Sequence, residues 1–343
     1  WVTETEKKAT VMNVPVTYPP EKRTQRMVSG FLSTSVESAA NPQELKEYLM
    51  SIGYRIDVDS KLGHEEDKTA FLQDALFTLK KRFESFEHFI EKDDWDLFFG
   101  VFMTTDRVNH FLYGDYQQKG RYFKEFLEFY RILDGYIGQL KELLADDTTM
   151  IIASDHGFTE LKYEFNANEW LRRAGWIDYR KNGKNGLENV SSESMGYSLI
   201  PGRFYINLED RELDGNVKLE DYENVREELR EMLLGIEGPE GGKVMKSVEV
   251  NEDIFEGDQM EIAPDLVALP NDGFDLKAGF GEKKDVFGKG PRNGMHTFEN
   301  ASLIIDRPGV SIEGSNLYNI TPTILTLMNI KYDPSVFDGE SLI

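Results

Sequence analysis

The chain has 343 residues, 40% of them hydrophobic, and its 62 acidic against 39 basic side chains give a net charge of −23. A surface this negative repels a nucleic-acid backbone, which excludes general binding to long DNA or RNA but leaves room for a small phosphate ester beside a bound cation. The chain has no cysteine, which excludes disulfides, thiolate metal sites and a cysteine nucleophile, and no apolar run approaches the roughly 18 residues of a membrane span.

In chain order, Ala9 to Val14 reads as a short strand, and Met27 to Leu32 as a second extended piece. A short helix is predicted from Asn41-Pro42 to about Met50, followed by a strand at Tyr54–Val58. From about Glu65 to Ile90, Phe71, Ala75, Leu76, Leu79, Phe83 and Phe86 recur at helical spacing. Asp96 to Met103 is apolar almost throughout, as expected of a strand covered on both faces. A long amphipathic helix spans Arg121 to Leu144, and Thr148 to Ser154 forms the next strand. Strand, helix and strand in that order predict a right-handed crossover within a mostly parallel sheet.

Residues 181–196 are rich in Asn, Gly and Ser and predict a mobile loop. Strands at Gly202–Leu208 and Lys243–Val250 are expected to flank a helix at about Glu220–Leu234. The sheet pattern returns at Leu266–Leu269 and Ala301–Ile305, and a last helix runs from near Asn319 to Leu327. The expectation is an α/β fold: a central, mostly parallel sheet with helices on both faces. Residues 1–159 and 291–343 form its core, and 160–290 an inserted cap. The first twenty residues do not resemble a signal peptide, so the default expectation is a soluble cytoplasmic protein.

The chemistry concentrates at strand ends. Asp106 and His110 follow the strand ending at Met103 and stand at i and i+4, so a helical turn points both the same way. Asp155 and His156 follow the Thr148–Ser154 strand, where open α/β sheets hold ligands. His296 sits just before another strand. Carboxylate and imidazole together suit zinc or manganese. His64 and His88 lie in charged helical surroundings and are expected to be solvated. Tyr122, Phe123, Phe126, Phe129 and Tyr130 are expected to pack a core, and Arg107 to form an ion pair or contact a phosphate.

These segments together resemble the alkaline phosphatase superfamily, in its type I phosphodiesterase/nucleotide pyrophosphatase branch. The resemblance is carried by Asp106-x3-His110 with Tyr113-Gly114, Ser154-Asp155-His156-Gly157, Gly294-x-His296 and Asn319–Leu325. The Asn13–Pro20 and Asp338–Leu342 segments add to it. It implies a hydrolase with two divalent ions, zinc or manganese, acting on a small phosphate ester or nucleotide. Asp106, His110 and His296 would hold one ion, and Asp155 and His156 the other. The family's further metal-binding Asp and its Thr or Ser nucleophile would lie upstream of the Pro15–Tyr18 segment. The expectation is therefore that an N-terminal portion, with the nucleophile, lies before Trp1, and that the second site is incomplete. Thr24, Ser29 and Thr34 are read as loop hydroxyls. Rival readings are a phosphomonoesterase or a phosphomutase of the same superfamily, and a metal-stabilised binding module without catalysis. A sulfatase is disfavoured by the lack of cysteine.

Overall fold

The computed structural model describes residues 1–180 and 186–343. It divides into two compact units, Trp1–Phe158 with Pro291–Ile343, and Thr159–Gly290. Among the described residues no helix is long and apolar enough to cross a membrane.

In the first unit, Ala9–Val14 lies between Arg26–Ser29 and Leu97–Gly100 and runs parallel to both. Ala40–Asn41 adds antiparallel to Arg26–Ser29 at the other edge. The parallel arrangement expected from the sequence thus holds for three strands and then stops. Met150–Ala153, expected to extend the same sheet, instead pairs antiparallel with Leu303–Asp306, from Leu303 opposite Ala153 to Asp306 opposite Met150. Leu97–Gly100 is also not covered on both faces, since Phe99 is 41% exposed. An apolar run reports affinity for apolar surroundings but does not say which neighbour supplies them.

Helix Thr69–Lys92 supplies much of this unit's core, with Phe71, Ala75, Leu79, Phe83, Phe86 and Phe89 buried at steps of three and four residues. Helices Thr104–Gln118 and Phe123–Glu142 pack against it. Of the aromatic stripe, Tyr122, Phe126 and Phe129 are buried in the same cluster. The predicted strand at Tyr54–Val58 is irregular backbone. Tyr54 and Val58 are buried, as their spacing suggests, but the carbonyls of Arg55 and Ile56 accept from Arg82 at 2.9 and 2.8 Å instead of from a neighbouring strand.

Arg82 is only 2% exposed. Besides those two carbonyls its guanidinium donates to the carbonyl of Val101 at 2.8 Å, and it lies 4.9 Å from the ring centre of Tyr54. Three carbonyl acceptors compensate a charge that would be very costly to bury alone. Tyr54 in turn donates to Asn13 at 3.0 Å, at the end of the central strand.

The second unit is built around a four-stranded antiparallel sheet in the order Met245–Val250, Leu266–Pro270, Arg203–Ile206, Gly196–Ile200. Helix Tyr222–Gly235 covers it, burying Leu229 and Leu233. A three-stranded sheet combines Phe274–Lys277, Tyr163–Asn166 and Phe287–Gly288. The loop predicted at 181–196 lies partly outside the described residues, at 181–185. Its remainder is ordered by local contacts: Val190 bridges to Tyr179, Ser194 is buried, and Gly196 already opens a strand.

Replacing Arg82 with Met keeps most of the volume and orphans three carbonyls. The expected result is a loss of about 3 kcal/mol of unfolding free energy. Urea unfolding followed by circular dichroism measures it, and a loss near zero would show that the carbonyls find other partners.

Candidate metal centre

The centre is assembled by one helix, one strand and one turn of the first unit. Helix Thr104–Gln118 buries Val108, Phe111 and Leu112 on its core face, so the turn carrying Asp106 and His110 faces the other way. Their side chains are 13% and 12% exposed, and His110 Nε2 stands 3.5 Å from Asp106 Oδ1. In the strand Gly294–Thr297, Met295 and Thr297 point inward and are buried, so alternation turns His296 outward. There His296 Nε2 donates to Asp106 Oδ1 at 2.9 Å.

Close packing fixes this strand against the helix. Asn293 N donates to the carbonyl of His110 at 2.9 Å, and the Asn293 side chain bonds Gly114 N and Asp115. A Cβ on Gly294 would sit 2.1 Å from the carbonyl oxygen of Asn109, so only glycine permits the approach. The Gly294 carbonyl lies 3.1 Å from His110 Nδ1. A carbonyl only accepts, so Nδ1 carries the proton and the Nε2 lone pair faces Asp106.

His156 follows the same pattern. Its Nδ1 lies 3.1 Å from the carbonyl of Gly157, which leaves Nε2 3.9 Å from Asp106 Oδ1. Its ring stacks on His296 at 3.7 Å between centroids. His156 Nε2 stands near both carboxylates, 3.9 Å from Asp106 Oδ1 and 3.6 Å from Asp155 Oδ1. The Asp155 side chain is 83% exposed. Phe158 packs edge-on or tilted against His110, His156 and His296, 5.1–5.4 Å between centroids. Sequence reasoning assigns Phe158 no role, although its place after Asp-His-Gly is the available signal.

Asp106, His110 and His296 offer ligand atoms all within 4.8 Å of one another. Burial pushes the Asp106 carboxyl up, but the hydrogen bond from His296 and the charges of His110 and Arg107 outweigh it and leave the group below the ordinary carboxylate range. Burial holds the His110 imidazole below its ordinary value, against the pull of Asp106. A neutral imidazole and an ionised carboxylate are the states that bind a cation. One oxygen with nitrogen donors held in a fixed tautomer fits zinc, and also manganese. The proton between His296 and Asp106 is the one a cation would displace.

His110 takes up a proton less readily in the folded chain than in the unfolded one. Its contribution therefore lowers stability as pH falls through the unfolded value of about 6.5 toward the folded one. Without added metal, the urea midpoint is expected to drop between pH 7.5 and pH 5.5, and to drop less in His110→Gln. Gly294→Ala is expected to cost about 2 kcal/mol by overpacking and to weaken zinc binding, measured by titration against a chromophoric chelator.

The family model of type I phosphodiesterase / nucleotide pyrophosphatase matches residues 1–299. Two solved structures are similar at 15% identity, both of ectonucleotide pyrophosphatase/phosphodiesterase 5. The human one has a TM-score of 0.40, with 77% of this chain and 64% of that chain covered. The murine one has a TM-score of 0.45, with 97% and 90% covered. The chain thus spans less than two thirds of the human protein's chain in that comparison. No curated protein matches the sequence. With the family model matching from the first strand through His296, the chain belongs to the type I phosphodiesterase/nucleotide pyrophosphatase family.

Proposed function

We propose that this chain carries the metal-holding part of a hydrolase that cleaves a phosphodiester or pyrophosphate bond in a small phosphate ester or nucleotide. The observation that carries the reading is the convergence of Asp106, His110 and His296 within 4.8 Å, in a chain of this family. Cytoplasmic placement is part of the same reading, supported by the cysteine-free composition.

A divalent ion held there, zinc or manganese, supplies positive charge to a phosphoryl group and acidifies bound water. The chain's own residues prepare the place. Asp106 presents Oδ1, and His110 and His156 keep their protons on Nδ1. Phe158 covers the imidazole rings with an apolar edge and limits water on that side. A second ion would draw on Asp155 and His156, two ligands where a zinc site ordinarily has three or four. The unit at Thr159–Gly290 is proposed as the substrate-selecting cap.

The exposure of Asp155 favours a second reading, a metal-stabilised binding module without catalysis. Elemental analysis after loading with zinc and removing excess separates the possibilities. One retained ion per chain is expected, lost in His296→Ala and kept in Asp155→Asn. Retention of zinc by His296→Ala would refute the assignment. Hydrolysis of bis(p-nitrophenyl) phosphate by the loaded chain would favour the enzyme over the module.

A further inference from the structure

Asp106 uses its two oxygens differently. Oδ1 faces His296, His110 and His156 at 2.9, 3.5 and 3.9 Å. Oδ2 accepts from Arg107 Nη1 at 3.3 Å. The opposite edge of the same guanidinium is held by Asp57, whose Oδ2 accepts from Nε at 3.0 Å and from Nη2 at 2.7 Å. Its flat face lies 4.5 Å from the ring centre of Phe31. Arg107 and Asp57 are both largely buried, at 15% and 17% exposure. Asp57 itself is anchored by accepting from Val58 N at 2.8 Å.

A guanidinium beside such a centre could instead grip a substrate phosphate. The geometry argues against it here. Both edges of Arg107 already meet carboxylates, and two negative charges surround one positive charge. Asp57 and Arg107 do line a cavity of about 590 Å³, but the pair offers that cavity little net positive charge.

We propose that Arg107, clamped by Asp57 and Phe31, is a positioning residue that occupies Asp106 Oδ2 and so restricts Asp106 to one-oxygen coordination through Oδ1. This rests on the metal reading above. Outer partners of this kind fix the orientation of a ligand that would otherwise rotate about its terminal torsion. Asp57 acts only through Arg107, so the two residues form a relay and not two independent supports.

The test is zinc affinity, by competition with a chromophoric chelator, for the chain, Arg107→Gln, Asp57→Asn and the double variant, each checked for folding by thermal melting. Arg107→Gln is expected to weaken zinc binding about tenfold. Asp57→Asn should weaken it by less, and the double variant should bind as Arg107→Gln does. Should Arg107→Gln fail to fold, Asp57→Asn decides alone. Unchanged affinity in the folded single variants, with only the melting temperature lowered, overturns the proposal and leaves the metal reading intact. Additive losses in the double variant overturn the relay. An unaltered chain that binds no zinc overturns the metal reading and this proposal together.

Discussion

A buried arginine organises the first unit. Arg82 carries its charge into the interior and directs its Nη donors to main-chain carbonyls, those of Arg55, Ile56 and Val101. Burial lowers its affinity for its proton, yet no ordinary pH would remove it. Two segments far apart in sequence are thereby fixed to one side chain. From Val101 the chain reaches the start of the Thr104–Gln118 helix and Asp106. From Ile56 it reaches Asp57, which grips Arg107. Both routes end on the same carboxylate, so the interior arginine and Asp106 belong to one connected arrangement.

Both units bury charged groups in pairs, and the first sets Arg26 against Asp93. In the second, Asp265, 1% exposed, accepts from Arg211, Tyr222 and the backbone of Ile206, and Glu169, fully buried, accepts from Arg172, Arg173 and Lys283 N. Such sets are satisfied within themselves and lend rigidity more than net stability. At the candidate metal centre one carboxylate, that of Asp106, faces three imidazoles at 2.9 to 3.9 Å.

The legible part of this fold is whatever local spacing controls. The i, i+4 relation of Asp106 and His110 is enough to put them on a common helix face, and the periodicity of Phe71 to Phe86 marks a core helix. His296 is legible only as one of few histidines at a strand edge. That it meets Asp106 depends on Gly294 lying against Asn109, a tertiary contact with no local signature. Tyr54–Val58 shows the opposite failure. Its alternation is real and its Tyr and Val are buried, but alternation reports where side chains go and is silent on what the carbonyls bond. Asp155 and His156 are legible as neighbours, and their side chains stay within 3.6 Å of each other, but their unequal exposure has no signature in the sequence.

The ligands are unequally accessible. His296 is 49% exposed, whereas Asp106 and His110 lie at 13% and 12%. If the site holds a cation, His296 would be its solvent-facing ligand, and Asp106 and His110 its shielded ones. Such a site would open toward solvent on the side of the strand Gly294–Thr297 and be closed on the side of the helix Thr104–Gln118.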